Sequence, residues 1–268
     1  MFKLLKKVEF SPKSNRMKTI SNTKIAREIY KSTKSKNLKF LLKERFKWMN
    51  DYIKEDDVGI EVGSGAGFLK YYIENKNLQL SDMSNDEHLD HKNIDAQNTK
   101  FKDDSFDYVI SSNMIHHVPY PIKFFREMNR ILKKGGKLII FESYCSILLQ
   151  MAVFVMRHEG FDFTVDVWDE KNPKSDEDNV WAGNIAVSNL IFDNKEKFNS
   201  NLGHLFSIKH EELVECLIFL NSGGVTSKTF CIPMNNFFMN ILKQIDKFLI
   251  KVSPNIFCMG RRLVLVKK

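Results

Sequence analysis

The segment from Ile60 to Phe68 reads IEVGSGAGF: a short apolar run enters a turn with glycine at 63, 65 and 67. Glycine at every second position lets the backbone turn sharply and approach a ligand closely. The run before it reads as a buried strand. Phe68 to Glu74 reads as a helix whose first N–H groups would face the turn. Strand, glycine turn and helix in this order point to an α/β sheet. The spacing is G-x-G-x-G, with Phe at 68, rather than the G-x-G-x-x-G of dinucleotide-binding turns. Glu61, two residues before the first glycine, would repel a pyrophosphate but can pair with an ammonium group. Both features disfavour a nicotinamide dehydrogenase.

The rest of the chain continues the alternation. NLQLSD (77–82) predicts a second strand ending in Asp82, NIDAQ (93–97) a short third, FDYVISSN (106–113) a fourth and residues 137–142 a fifth. A helix is expected over 122–132. After it come an apolar helix over 144–158, a strand at 204–208, a helix over 209–220, an amphipathic helix over 234–252 and a last strand in RRLVLVKK. Strands separated by helices imply βαβ units and a mostly parallel sheet. Residues 159–203 are acidic and aperiodic, the signature of a lid or binding insertion. The division expected is 1–54 as a basic arm with an amphipathic helix over 37–54, then 55–268 as one α/β domain with an insertion over about 144–203.

Of 268 residues, 43% are hydrophobic, enough for a sizeable core and too many for a disordered chain. The net charge of +8 is lopsided: residues 1–50 hold fifteen Lys and Arg against three Glu, and the remaining 218 sum to −4. Cys145, Cys216, Cys231 and Cys258 lie far apart with no C-x-x-C pair, which argues against a zinc or disulfide framework and fits a reducing, cytoplasmic setting. MFKLLKKVEFSPK carries no apolar stretch of signal-peptide length, and the longest apolar run, 147–156, is too short to span a bilayer.

The order of Glu61-Val62-Gly63-Ser64-Gly65-Ala66-Gly67, Asp82, Asp95-Ala96, FDYVISSNMIHHV and LKKGGKLIIFE resembles the class I S-adenosylmethionine-dependent methyltransferases over about a third of the chain. The resemblance implies a Rossmann-like sheet of seven strands, the last antiparallel, with helices on both faces and an irregular lid. It implies S-adenosyl-L-methionine as cofactor. Gly63, Ser64, Gly65 and Gly67 would lie against its methionyl part and ribose, with Glu61 near its amino group. Asp82 would bind ribose, Asp95 and Ala96 would lie against adenine, and Asn113 and Met114 would face the methionine moiety. Gly63 to Lys70, His116 to Pro121, His158 to Asp162, Trp181 to Asn184 and Leu220 to Gly224 are also similar to methyltransferases encoded with bacterial surface-polysaccharide genes. That likeness implies a saccharide or small-molecule acceptor, and the leading expectation is transfer to a hydroxyl oxygen.

A hydroxyl acceptor calls for a general base. His116 and His117 follow the fourth strand at the edge where such sheets bind ligands; one could be the base, or one caps a turn and the other packs beside the cofactor. His158 and Glu159 could deprotonate an acceptor from the lid side, or close a helix end. Glu142 is a further candidate, or a polar strand terminus. The acidic residues of the insertion match no metal-binding loop and read as a solvated face, so no metal is expected. Trp168 and Trp181 could stack on a sugar or pin the lid. The basic arm is a solvated face or tail, or contacts an anionic membrane or a phosphate-bearing acceptor such as a lipid-linked sugar, or binds nucleic acid by backbone charge, for which no motif accompanies it. The Phe-rich helix near 237–250 reads as core. N- or C-methylation of a small metabolite, and a cofactor-binding partner protein without catalysis, are the competing readings.

Overall fold

A computed structural model describes residues 5–10, 23–32, 35–157, 159–179, 181–225 and 229–268. The strands are β1 (Lys7–Val8), β2 (Gly59–Val62), β3 (Leu78–Ser81), β4 (Phe106–Ser112), β5 (Leu132–Ser143), β6 (Phe161–Asp162), β7 (Phe206–Val214) and β8 (Gly260–Lys267). The helices are α1 (Thr23–Lys31), α2 (Lys36–Phe46), α3 (Pro121–Ile131), α4 (Ile147–Met156), α5 (Val187–Phe192), α6 (Lys195–Leu202), α7 (Leu217–Leu220), α8 (Asn236–Val252) and α9 (Pro254–Phe257).

Among the described residues the main sheet has six strands in the order β3-β2-β4-β5-β8-β7. Neighbours from β3 to β5 pair parallel, and β8 is antiparallel to both β5 and β7. Period-two alternation sends successive side chains to opposite faces. Val109, Leu138 and Ile140 join α3, α5 and α6 on one side, while Ile110, Ile139 and Phe141 join α2 and Ala26 of α1 on the other. Both faces are covered, so β4 and β5 read as continuous apolar runs. α3 starts with Pro121 in its first turn, where the missing N–H costs nothing, and buries Phe124, Phe125, Met128 and Ile131. Each such side chain is worth about 1.5–3 kcal/mol of burial.

Four expectations are corrected. The third expected strand, at 93–97, does not form, which leaves six of the seven: Asn93 takes a positive φ, and Asp95 Oδ1 accepts from Gln97 N at 2.8 Å, so local side-chain turns displace the ladder. Among the described residues a single bridge, Ser81 to His91, remains at that edge. Phe68–Tyr71 is one 3-10 turn instead of a helix to Glu74. Residues 209–214 extend strand β7 along β8, reinforced by the Arg262–Glu212 ion pair at 2.6 Å across the two strands. The helix expected over 209–220 shrinks to α7. The insertion is irregular only in its middle; α4 opens it and α5 and α6 close it.

The N-terminal region is more than an arm. Residues 1–4, 11–22 and 33–34 lie outside the described residues, but α1 and α2 pack on the sheet. Arg45 of α2 makes a buried two-pronged ion pair with Glu215 (Nε to Oε1 2.8 Å, Nη2 to Oε2 2.8 Å) between the rings of Phe141 and Phe219.

Candidate active site

β2 delivers the chain to the glycine turn, where Gly63 (φ 71°) and Gly65 (φ 50°) take left-handed conformations. At Gly63 a Cβ would stand 2.3 Å from Met114 Cγ, so only glycine lets the loop after β4 close onto the turn. At Gly65 a Cβ would meet no described atom within 4 Å: this is open space beside bare backbone. The Gly65 N–H donates to Asp82 Oδ2 at 2.8 Å, and Ser84 N donates to Asp82 Oδ1 at 2.9 Å, so the acid ending β3 holds the turn's shape. His88 Nε2 sits 2.8 Å from Gly65 O, and Arg27 of α1 donates to Ala66 O at 3.0 Å. α1 thus latches onto the turn, and Tyr30 stacks on Phe68 and Tyr71. Arg27 and His88 were not legible as site residues: nothing in the sequence signals which distant side chain finds a turn's carbonyls.

Glu61 is buried, and its Oε2 has no hydrogen-bond partner among the described residues. Burial pushes its carboxyl up to about 8, the charge of Asp82 adds to this, and Ser64 opposes it. A buried carboxyl without a partner costs free energy until a donor arrives. Ser64 itself is buried, its Oγ donating to Glu61 O and accepting from Ser81 N. Ala96 is packed into the core at the edge of the turn region, and Asp95 holds the bend beside it.

Met114 leads from the glycine turn to a second cluster. Asn113, at positive φ, donates its N–H to Phe141 O at 2.7 Å, and its Oδ1 accepts from Ser143. Glu142, fully buried at the end of β5, accepts from the N–H groups of Met114 and Ile115 at 2.7 Å each through Oε1. Its Oε2 lies 2.6 Å from His116 Nδ1. Burial works against charge on His116, but Glu142 and Glu159 outweigh it and raise the imidazole to about 10. His116 Nε2 is 3.6 Å from Glu159 Oε2, and His117 Nε2 is 3.8 Å from Glu159 Oε1. His116 is 3% exposed, whereas the side chains of His117 and Glu159 are 18% and 20% exposed. The structure therefore gathers His116, His117, Glu159 and Glu142; His158 lies outside the described residues. The ligand atoms of His116, His117 and Glu159 all fall within 4.8 Å of one another and could hold a metal ion, a grouping absent from the sequence reading.

The insertion closes against this cluster. A Cβ on Gly183 would stand 2.6 Å from His116 Cδ2, Asn184 N donates to His116 O, and Ser175 Oγ donates to His117 O. The acids of the insertion are engaged locally: Asp162 with Lys7, Glu170 with Arg126, Glu177 with the Tyr120 hydroxyl. Trp168 packs on the core, so it pins the lid, while Trp181 is exposed.

Residues 60–140 match the family model described as a methyltransferase domain. A solved S-adenosylmethionine-dependent methyltransferase from Archaeoglobus fulgidus superposes with a TM-score of 0.51 at 15% identity, covering 85% of this chain and 94% of that one. This is the fold of the S-adenosylmethionine-dependent methyltransferases. The cofactor that goes with it is S-adenosylmethionine, and the residues fit: a bare backbone cradle at Gly65 adjoins a buried, partnerless carboxylate oxygen suited to an ammonium group. Among curated relatives, a demethylmenaquinone methyltransferase of Staphylococcus haemolyticus is 34% identical over 135 residues, 50% of this chain and 53% of its own. Phosphoethanolamine N-methyltransferase 2 of Caenorhabditis elegans is 30% identical over 97 residues, 31% of this chain and 22% of its own. The chain spans about half the length, or less, of the curated relatives it matches.

Proposed function

We propose that the chain methylates a hydroxyl oxygen of a small-molecule or saccharide acceptor. The observation that carries this reading is the continuity of the two clusters: the open glycine turn touches Met114, and the loop from Met114 runs into a partly buried histidine–carboxylate pair. Glu61 would hold the cofactor's ammonium, Asp82 its ribose, and Asp95 with Ala96 its adenine, with Gly63, Ser64, Gly65 and Gly67 forming the cradle. Asn113 and Met114 would face its methionyl part. Bound there, S-adenosylmethionine supplies an electrophilic methyl carbon. His117 and Glu159 would orient the acceptor, and Glu159 would take the hydroxyl proton as the acceptor oxygen accepts the methyl group the cofactor supplies, the sulfur leaving with the electron pair of its methyl bond. His116, sealed between Glu142 and Glu159, is a positioning residue: it keeps Glu159 ionised and aimed.

The relatives' names support a small acceptor. The likeness to a phosphoethanolamine N-methyltransferase supports N-methylation as a second reading. The test is isothermal calorimetry with S-adenosylhomocysteine, followed by transfer of tritiated methyl to nucleotide sugars, lipid-linked saccharides, quinones and amines. Binding with label in a hydroxyl-bearing product is expected. Label in amines alone establishes the second reading, and absence of binding by the folded protein overturns both.

A further inference from the structure

The Phe-rich segment near 237–250, expected in the core, lies on the surface instead. On α8 only Met239 and Asp246 are buried, and Leu242 packs beside Met239 against Phe40, Leu41 and Ile218. Asp246 is consumed inside, accepting from the N–H groups of Cys216, Leu217 and Ile218. The outward face is apolar: Phe238, Ile241, Ile245, Phe248 and Val252 follow the 3-4-3-4 spacing of one helix stripe, and Phe237 flanks it. Phe237, Phe248 and Val252 are 68%, 66% and 63% exposed. The face does not stop at α8. α9 packs on α8 and on α4, and α4, which carries no charged residue, exposes Met151, Phe154 and Val155. Isolated exposed apolar residues are ordinary; an exposed apolar stripe along a whole helix, joined through α9 to a second helix with exposed apolar side chains, marks a binding surface.

Charge decides what covers it. Lys243, Lys247 and Lys251 recur every four residues and so run down one flank of the apolar stripe; Lys243 is paired with Glu44 of α2, and Lys247 and Lys251 are exposed and carry the charge of this face. From Thr229 to Phe257 the only acid is Asp246, and it is buried. We infer that the α8–α9–α4 face docks on an anionic lipid bilayer, α8 lying in the plane of the interface with its aromatic stripe inserted and its lysines on the headgroups. An apolar stripe with lysines alongside is what such a helix requires. No described helix is long and apolar enough to cross a membrane, so the contact is peripheral. A two-fold pairing of α8 with its own copy would crowd two lysine stripes together with no exposed acid on the helix to answer them. The docking does not depend on the methyl-transfer reading.

The experiment is vesicle flotation of the full-length chain with phosphatidylglycerol–phosphatidylcholine (1:1) and with pure phosphatidylcholine vesicles, alongside light scattering for mass. The wild type is expected to float with the anionic vesicles at 0.1 M salt and to be released at 0.5 M. The double variant I241E/F248E should lose binding at least tenfold, and K247E/K251E about fivefold per lysine. Unchanged melting curves and unchanged S-adenosylhomocysteine binding in both variants show that fold and cofactor site persist. Failure of the wild type to float overturns the inference, as does a wild-type dimer that I241E/F248E dissociates without any vesicle binding in either form. Equal binding of both vesicle types, unmoved by the lysine variants, overturns its electrostatic half.

Discussion

Nδ1 of His116 lies 2.6 Å from Oε2 of Glu142, and both side chains are sealed from solvent. The pair binds the end of β5 to the loop after β4, because the other oxygen of Glu142 accepts two backbone N–H groups of that loop. Its folded imidazole is raised from 6.5 to about 10. A raised folded value means that the stabilisation is fully present below about pH 6.5 and fades as pH rises through about 10. Urea midpoints at pH 6, 8 and 10 should therefore decline, and His116→Gln should flatten that decline. Glu142→Ala leaves a buried cation and two N–H groups unanswered, and should cost about 3–5 kcal/mol.

Glu61 gives a pH dependence of opposite use. Its free-protein carboxyl sits at about 8, so it is mostly protonated at pH 6–7. Pairing with an ammonium group requires the ionised form, so binding of S-adenosylhomocysteine should release a proton and tighten as pH rises from 6 to 8. Calorimetry in buffers of differing ionisation enthalpy reads the proton directly. Glu61→Gln should abolish the proton release and weaken binding about tenfold to a hundredfold. It should not lower stability above pH 8, where the wild type must hold a buried charge.

The two glycines of the turn separate strain from steric exclusion. Gly65→Val fills open space at a φ of 50°, so it should cost about 1–2 kcal/mol of stability and abolish S-adenosylhomocysteine binding. Gly63→Ala instead drives a methyl into Met114, and should destabilise more and disturb His116 as well. Thermal melts paired with calorimetry distinguish the two.

What could be read in advance follows from how local each signal is. β4 and β5 are apolar on both faces and announce themselves, and IEVGSGAGF carries its own turn. The 93–97 segment did not, because Asn93 and Asp95 settle its backbone with their own side chains, a contest that periodicity cannot score. β7 needed β8 as its partner, nearly fifty residues later. His116 and Glu142 are 26 residues apart and meet only because parallel pairing sets Ser112 beside Phe141. The α8 stripe was visible as apolar, but a stripe says nothing of whether another element covers it.

Glu159 and His116 should respond differently to substitution. Glu159→Gln removes the reachable proton acceptor and should lower methyl transfer about 10²–10⁴-fold with S-adenosylhomocysteine affinity intact. His116→Gln acts through Glu159, so its effect should be smaller and should shift the pH profile of turnover. Rates measured from pH 6 to 9 with the acceptor found in the tritium screen check both.

The Arg45–Glu215 pair should be intolerant even of lysine. Arg45 is 5% exposed, bonds both oxygens of Glu215 and lies between two aromatic rings, and Glu215 itself sits at a positive φ. Lysine keeps the charge but offers a point donor without the planar fork or the stacking surface. Arg45→Lys should lose about 1–3 kcal/mol, and Arg45→Ala, which strands a buried carboxylate, about 3–5 kcal/mol. The double variant Arg45→Met with Glu215→Leu removes both charges and keeps apolar volume, so it should recover much of that loss. Urea denaturation of the wild type and the three variants measures each loss. Recovery in the double variant identifies the single-variant cost as an unpaired buried charge, and its absence assigns the cost to lost packing of the guanidinium between Phe141 and Phe219.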